Sequence, residues 1–331
     1  MLYRYLLNKR KSTTKGAGRV LLVADRPNWA YDSIARALVK FNDDPDLQFD
    51  IEYVKNGRRR LEDIHKSYDL IFFMGWQTIS SVKSFKLEYS FIDSNRILTG
   101  IHSHHSWDKR ESAPDSSISP PAELVDFLNK FNGVNAVSRR LYGLFLKAGL
   151  ENIAYTPNGV DIDLFAPISF ERKNDDLIVG FSGNNRHDWR KGINEFIKPA
   201  TQTSGLTLKL AMPTPGHYVS LEDMPSFYKA IDVYVCASSS EGFSLSVLEA
   251  AASGCPIIST RVGGCEDLII EGVNGFLVDR NVLSIQEKLI VLRDDARTFE
   301  SMSHMSRKIV EQLWSWKIRV PMWVAFIKSR L

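Results

Sequence analysis

The stretch "VYVCASSSEGFSLSVLEAAASGCPIIST", residues 233–260, decides the fold. Two short apolar runs, "VYVCAS" and "PIIST", read as buried strands. Between them lies a turn-like cluster, "SSSEGF", and then a run of helix formers, "SLSVLEAAASG", which stops at Gly254 with Pro256 beyond. Strand, turn, helix and strand in that order belong to a parallel sheet covered by helices. The unit also carries two glutamates eight positions apart. Glu241 falls in the loop and Glu249 one to two turns inside the helix.

The same alternation runs outward in both directions. Toward the N-terminus, "RVLLVAD" (19–25), "FDIEYV" (49–54), "YDLIFFMGW" (68–76) and "RILTGIH" (96–102) are strand candidates. "YDSIARALVKF" (31–41) is an amphipathic helix with Ile34, Leu38 and Phe41 on one face. "PPAELVDFLNKF" begins with prolines, as a helix N-terminus does, and "RRLYGLFLKAG" stops at Gly149. The segment "TPNGVDIDLFAPISFERKNDD" (156–176) loses periodicity and reads as a connection between domains. The pattern then restarts with "LIVGFSG", "INEFIKPAT", "LTLKLAM" and "MPSFYKAI". The expected fold is α/β with two facing, doubly wound, Rossmann-like domains and a cleft between them. The first would cover 1–165 and the second 166–312, with a helix over 313–331 packing back on the first. Ligands of such sheets sit beyond the carboxyl ends of the strands.

Bulk properties set the outer limits. A chain of 331 residues suits two domains. Its formal charge of +3 and the absence of a strongly basic region argue against nucleic acid as partner. Positive charge is concentrated in the first sixty residues, in "RYLLNKRK" and "GRRR". Solvated surface explains such runs, and contact with anionic lipid or a phosphorylated acceptor is the sharper alternative. Cys236, Cys255 and Cys265 lack metal or disulfide spacing, no apolar run is long enough to span a bilayer, and "MLYRYLL" is too short and polar for a signal peptide. The expectation is a cytoplasmic protein, with peripheral contact at the inner face of the membrane through its basic start.

The helix after Glu241 opens with amides that have no partner inside the helix, and its dipole puts positive charge there. Such a terminus stabilises a phosphate. A blander reading competes with this one: Ser246 and Glu249 fit S-x-x-E, a capping box, and Glu241 would then be a solvated loop residue.

At this point the chain resembles a known family. "SSSEGFSLSVLEAAASGCPIISTRVGGCEDLIIEGVNGFLV" is similar to the donor-binding region of family 4 glycosyltransferases, retaining enzymes of the GT-B architecture with an E-x7-E motif. "FSGNNRHDWRKGINEF" resembles their Arg-x4-Lys region, here Arg186 and Lys191. "VSRRLYGLFLKAG" with "TPNGVDIDLFAP", and "MPSFYKAIDVYVCASSSEG", are similar to two further segments. The resemblance spans roughly residues 133 to 280. It is weaker before residue 130, where the family's Gly-rich first loop is replaced by "ADRPNWAYDSIARAL".

The resemblance implies a nucleotide-diphosphate sugar as donor, no cofactor and no metal. Arg186, Lys191 and the amides of Phe243, Ser244 and Leu245 would cradle the departing diphosphate, with Gly183 and Gly242 alongside. Glu249 would hold the ribose hydroxyls and Glu241 those of the transferred sugar. His102 in "GIHSHH" matches a family histidine that touches the donor sugar, so His102, Glu241, Arg186 and Lys191 form the expected catalytic set. Trp29, Tyr31, His104 and His105 fall on the acceptor side, where the acceptor would be a glycan, a lipid-linked glycan or a small hydroxyl compound. Aromatic packing for Trp29 and Tyr31, and a structural or H-x-H metal role for the histidines, are the alternatives. The implied function is sugar transfer in cell-surface polysaccharide or glycolipid synthesis. Its rivals are a glycosidase-like carboxylate pair, a sugar-nucleotide epimerase, a phosphorylase using pyridoxal phosphate, and a binding protein without activity.

Overall fold

A computed structural model describes residues 16–56, 58–80, 85–104, 118–172, 175–184 and 188–331. Arg186 and His105 therefore lie outside the described residues, and the side chains of 58 and 59 are likewise not described.

The chain forms two parallel sheets. The first holds β1 (Gly18–Ala24), β2 (Leu47–Tyr53), β3 (Leu70–Phe73), β4 (Ile97–Ile101), β5 (Gly133–Ala136) and β6 (Ile153–Tyr155), in the order β2-β1-β3-β4-β5-β6. The second holds β7 (Leu177–Ser182), β8 (Leu206–Ala211), β9 (Val233–Cys236), β10 (Ile257–Thr260) and β11 (Gly275–Val278), in the order β11-β10-β9-β7-β8. Every pairing between these strands is parallel. Their central strands are apolar on both faces, as sheets covered on two sides require: all of β3 and β4 and all of β9 and β10 are buried. Strand order reverses between β1 and β3 in the first sheet and between β7 and β9 in the second. The loops that follow a pair of strands at such a point diverge and leave a crevice.

The expected helix at 31–41 is Ala30–Phe41, with Ile34 and Leu38 in the core as its periodicity requires. Residues 193–201 form a π-turn over Ile193–Ile197 followed by Lys198–Ala200 instead of one regular helix. Gly192, in a left-handed conformation at φ 69°, breaks the chain just before it. The last helix, Trp316–Lys328, lies against the first sheet: the Trp323 indole N–H donates to the Pro157 carbonyl at 2.9 Å, and Trp323 and Phe326 pack on Phe72. Among the described residues no helix is long and apolar enough to cross a membrane.

The two domains also meet directly. Asp267, on the helix Gly263–Leu268, accepts from the Arg139 amide at 2.9 Å and from the Tyr155 hydroxyl at 3.2 Å, while its neighbour Glu266 pairs with Arg140. Burial raises the Asp267 carboxyl above its ordinary value, partly offset by these donors. Gly242 approaches so closely that a Cβ there would overlap the His102 carbonyl. Only glycine fits where the two domains touch.

Candidate active site

The second sheet's crevice is built from the loops after β7 and β9. The β9 loop is pinned from several sides. Thr260 donates its hydroxyl to the Ser238 carbonyl at 2.5 Å, the Ser239 amide donates to the Arg190 carbonyl at 2.8 Å, and Arg190 donates to the Ser240 carbonyl at 3.0 Å. Arg280 ties the facing segment down: it donates to the carbonyls of Ala237 at 2.9 Å and Trp189 at 2.7 Å, and its guanidinium lies over the Phe196 ring. Gly263, at φ 41°, lets its backbone press on the carbonyls of Glu241 and Gly242. Glu241 and Lys191 are thus fixed on opposing, well-anchored segments.

Glu241 is only 8 % exposed and is not a solvated loop residue. Its Oε1 pairs with Lys191 Nζ, accepts from the Ser238 hydroxyl at 2.7 Å and lies 3.6 Å from Arg190 Nη1. Burial alone would raise this carboxyl, but the charges of Lys191 and Arg190 outweigh it and hold the group at about 2. Glu241 is therefore ionised at every physiological pH.

Glu249 has different surroundings. It accepts from the Tyr228 hydroxyl at 2.8 Å, and Tyr228 in turn bonds Ser182 at 2.9 Å. No cation is among the causes of its shift: burial raises the carboxyl to about 7, and the Tyr228 hydrogen bond opposes only part of that. The capping-box alternative fails here. The helix is Leu245–Ala252 with Ser244 as its N-cap, so Ser246 lies inside it and Glu249 bonds a phenol, not the helix start. Among the described residues, none of the amides of Gly242, Phe243, Ser244 and Leu245 has a backbone partner. The Phe243 ring is buried against Trp314, with centroids 5.0 Å apart, so only the backbone of Phe243 is available to the crevice. Gly183, at the end of β7, is bonded by its amide to the Ala211 carbonyl at 3.0 Å.

Across the cleft, His102 follows β4. Burial lowers its imidazole to about 4, with the Met74 carbonyl opposing, so it is neutral at pH 7. Its Nε2 is shielded from solvent and makes no hydrogen bond among the described residues. The Tyr31 ring meets it edge-on at 4.9 Å. Tyr31 turns inward and its hydroxyl donates to Gln77 at 3.4 Å, whereas Trp29 is 45 % exposed with the Arg26 guanidinium over its ring. His104 is buried. The glycine-free first loop reaches its conformation through Asn28, a non-glycine residue at φ 63° whose amide donates to the buried Asp32 at 2.8 Å.

The structure thus brings Lys191, Glu241, Gly242, the helix start and His102 together, with Glu249 and Gly183 on the same side of the second sheet. The sequence reading missed Arg190, Tyr228, Ser238 and Arg280. Arg190 had a signal, a second cation beside Lys191. Tyr228 and Arg280 had none, because their contacts lie 21 and 43 residues away along the chain.

Two doubly wound domains meeting at such a crevice define the GT-B class, which is the fold of this chain. Residues 216–309, a segment that contains Glu241 and Glu249, match the family described as "Glycosyl transferases group 1". It is 30 % identical over 184 residues to the capsular polysaccharide biosynthesis glycosyltransferase CapM of Staphylococcus aureus, covering 47 % of this chain and 48 % of that protein. It is 30 % identical over 196 residues to a D-inositol 3-phosphate glycosyltransferase of Paenarthrobacter aurescens, covering 48 % and 47 %. The chain spans about half the length of these curated relatives. Its fold is similar throughout to that of Anabaena Alr3699/HepE in complex with UDP and glucose, with a TM-score of 0.69, 17 % identity, and 94 % of this chain and 99 % of that one covered.

Proposed function

We propose that the protein is a retaining glycosyltransferase that moves a sugar from a nucleotide-diphosphate donor to a hydroxyl of a saccharide, lipid-linked glycan or small acceptor. The observation that carries this reading is the unpartnered start of the helix Leu245–Ala252 beside the Lys191–Glu241 pair, facing His102 across the cleft. A pyrophosphate would take the free amides and the Lys191 ammonium, with Arg186 as a further cation. When the sugar–phosphate bond breaks, its electrons pass to the phosphate oxygen, and these groups stabilise the growing charge. The acceptor oxygen bonds to the anomeric carbon and its proton passes to the departing phosphate on the same face, so the anomeric configuration is retained. Glu249 accepts from the ribose hydroxyls in exchange for Tyr228. Glu241 and the neutral His102 contact the sugar.

The UDP-glucose and UDP complexes of HepE and the polysaccharide role of CapM support a nucleotide sugar and cell-surface glycan synthesis as the setting. No metal or organic cofactor enters the reading, because cations and amides of the chain meet the phosphate charge. The basic residues before position 60 fit a cytoplasmic protein touching an anionic membrane surface. The test is a screen of UDP, GDP and ADP sugars by thermal shift, followed by NMR of the anomeric proton of the product. Binding of one nucleotide series and a retained anomer is the expected result. Absence of binding by all three, or an inverted product, would refute it.

A further inference from the structure

The strand under His102 has a polar neighbour. β4 and β5 run in register with Gly100 beside Asn135. Side chains two residues apart on an extended chain share a face, so His102, just past β4, falls on the face of Gly100 and Asn135. Asn135 is fully buried, and a buried amide costs free energy unless its atoms are bonded. Its Nδ2 donates to the buried Thr156 hydroxyl at 2.8 Å. That bond turns Oδ1 toward β4, where it is shielded and receives no hydrogen bond among the described residues.

Three polar atoms converge at this point. A Cβ built on Gly100 would lie 2.6 Å from Asn135 Oδ1, 2.6 Å from His102 Nε2 and 2.7 Å from the Met74 carbonyl oxygen. No two of them can therefore be more than about 5 Å apart, and the missing side chain of Gly100 is what leaves them room. Oδ1 and the carbonyl oxygen can only accept. A neutral imidazole carries one N–H and one bare nitrogen, and the surroundings of each nitrogen decide which is which. A bare Nε2 would set its lone pair against two acceptors, whereas a protonated Nε2 offers both a hydrogen. The Met74 carbonyl already favours the protonated ring. His102 is partly exposed although its Nε2 is shielded, so the surface it leaves open is not Nε2.

We propose that Asn135 is a positioning residue for His102: its Oδ1, together with the Met74 carbonyl, holds the proton on Nε2 and leaves Nδ1 as the bare nitrogen that accepts from a hydroxyl of the transferred sugar. The sugar contact rests on the donor reading above, but the choice of tautomer is testable without it. Protein carrying ¹⁵N-labelled histidine is observed at pH 7 by long-range proton–nitrogen correlation, with His102→Gln to identify the signals. The wild type is expected to show Nε2 protonated and Nδ1 bare. Asn135→Leu keeps the bulk and removes the acceptor. It is expected to move both nitrogen resonances toward those of a free imidazole and to lower transfer about tenfold or more, the scale of one hydrogen bond. Asn135→Asp returns an acceptor and should restore the tautomer. Its charge should also raise the His102 titration by about one unit or more from its wild-type value of about 4. The other groups facing the ring do not confuse that reading: Tyr31 and the Met74 carbonyl are neutral, and the Glu241 charge, on the loop of Gly242, is held by Lys191 and Arg190. A bare Nε2 in the wild type, or the wild-type tautomer in folded Asn135→Leu, overturns the proposal. If Asn135→Leu does not fold, Asn135→Asp decides, and an unchanged His102 titration there overturns it. A tautomer that depends on Asn135, in a protein that binds no nucleotide, supports the positioning role and overturns the donor reading.

Discussion

The carboxyl of Glu249 titrates at about 7, because burial acts on it with only a phenol in opposition. If the ribose hydroxyls bond the ionised carboxylate, nucleotide-sugar affinity must depend on pH across that value. A nucleotide sugar is the right ligand, since its diphosphate is esterified at both ends and keeps its charge there, which a free diphosphate does not. Glu241 at about 2 remains ionised and His102 at about 4 remains neutral, while the nearby Cys236 thiol, lowered to about 6 mainly by its hydrogen bond with Cys265, also titrates in this range and is left in place in Glu249→Gln. Between one unit above and one unit below its midpoint, the ionised fraction of one group falls from about nine-tenths to about one-tenth, so affinity should fall about tenfold, or ~1.4 kcal/mol, from about pH 8 to about pH 6. Titration calorimetry at both ends of that range measures it. Glu249→Gln should bind weakly and with a flat profile. A flat profile in the wild type, or an unchanged slope in Glu249→Gln, would refute the assignment of Glu249 to the ribose.

Lys191→Met removes the main partner of a buried carboxylate and should cost about 3 kcal/mol of stability in denaturant unfolding, with much of that regained in Lys191→Met/Glu241→Gln; both should lose transfer by about a hundredfold or more in a product assay. The Glu241 contribution to stability is present above its ordinary value of 4.5 and lost as pH falls through about 2, so Glu241→Gln should flatten the acid limb of a stability–pH curve in that window. Gly242→Ala should push the His102 segment away and separate the domains, seen as a larger radius of gyration in small-angle scattering together with lost transfer. Asn28→Val should destabilise by about 1–2 kcal/mol because a β-branched residue is strained at positive φ, while Asn28→Gly should leave the melting temperature nearly unchanged.

Much of this architecture was legible in the chain because apolar runs and helix periods are local signals. "VYVCAS" and "PIIST" gave β9 and β10, and Gly149 and Gly254 ended helices where their φ values of 94° and 86° require glycine. The two glutamates were legible as a pair, but their states were not. Nothing near Glu249 in sequence announces Tyr228, and the contact exists only because β9 brings the helix Met224–Lys229 beside the helix Leu245–Ala252. The first loop was less legible: glycine is absent there, yet Asn28 takes a left-handed conformation and Asp32, inside the next helix, receives its amide.

A carboxylate beside the proposed pyrophosphate site needs a physical justification, since like charges repel. Glu241 supplies one through its partners. Without Glu241, Lys191 and Arg190 would repel each other and draw the loops apart; Glu241 between them leaves one net positive charge among the three and keeps both cations ordered. Such order is what electrostatic catalysis needs, because donors already in place spend no reorganisation energy when charge develops. Under the proposed function, arrival of the diphosphate would give Lys191 a stronger partner, and the carboxylate would become available to hydroxyls of the sugar. Glu249, with no cation to hold, stays near its midpoint and is free to exchange a phenol for a ribose. The eight-residue spacing therefore places two chemically identical groups in opposite electrostatic settings, one always charged and one responsive, on either side of a single helix start.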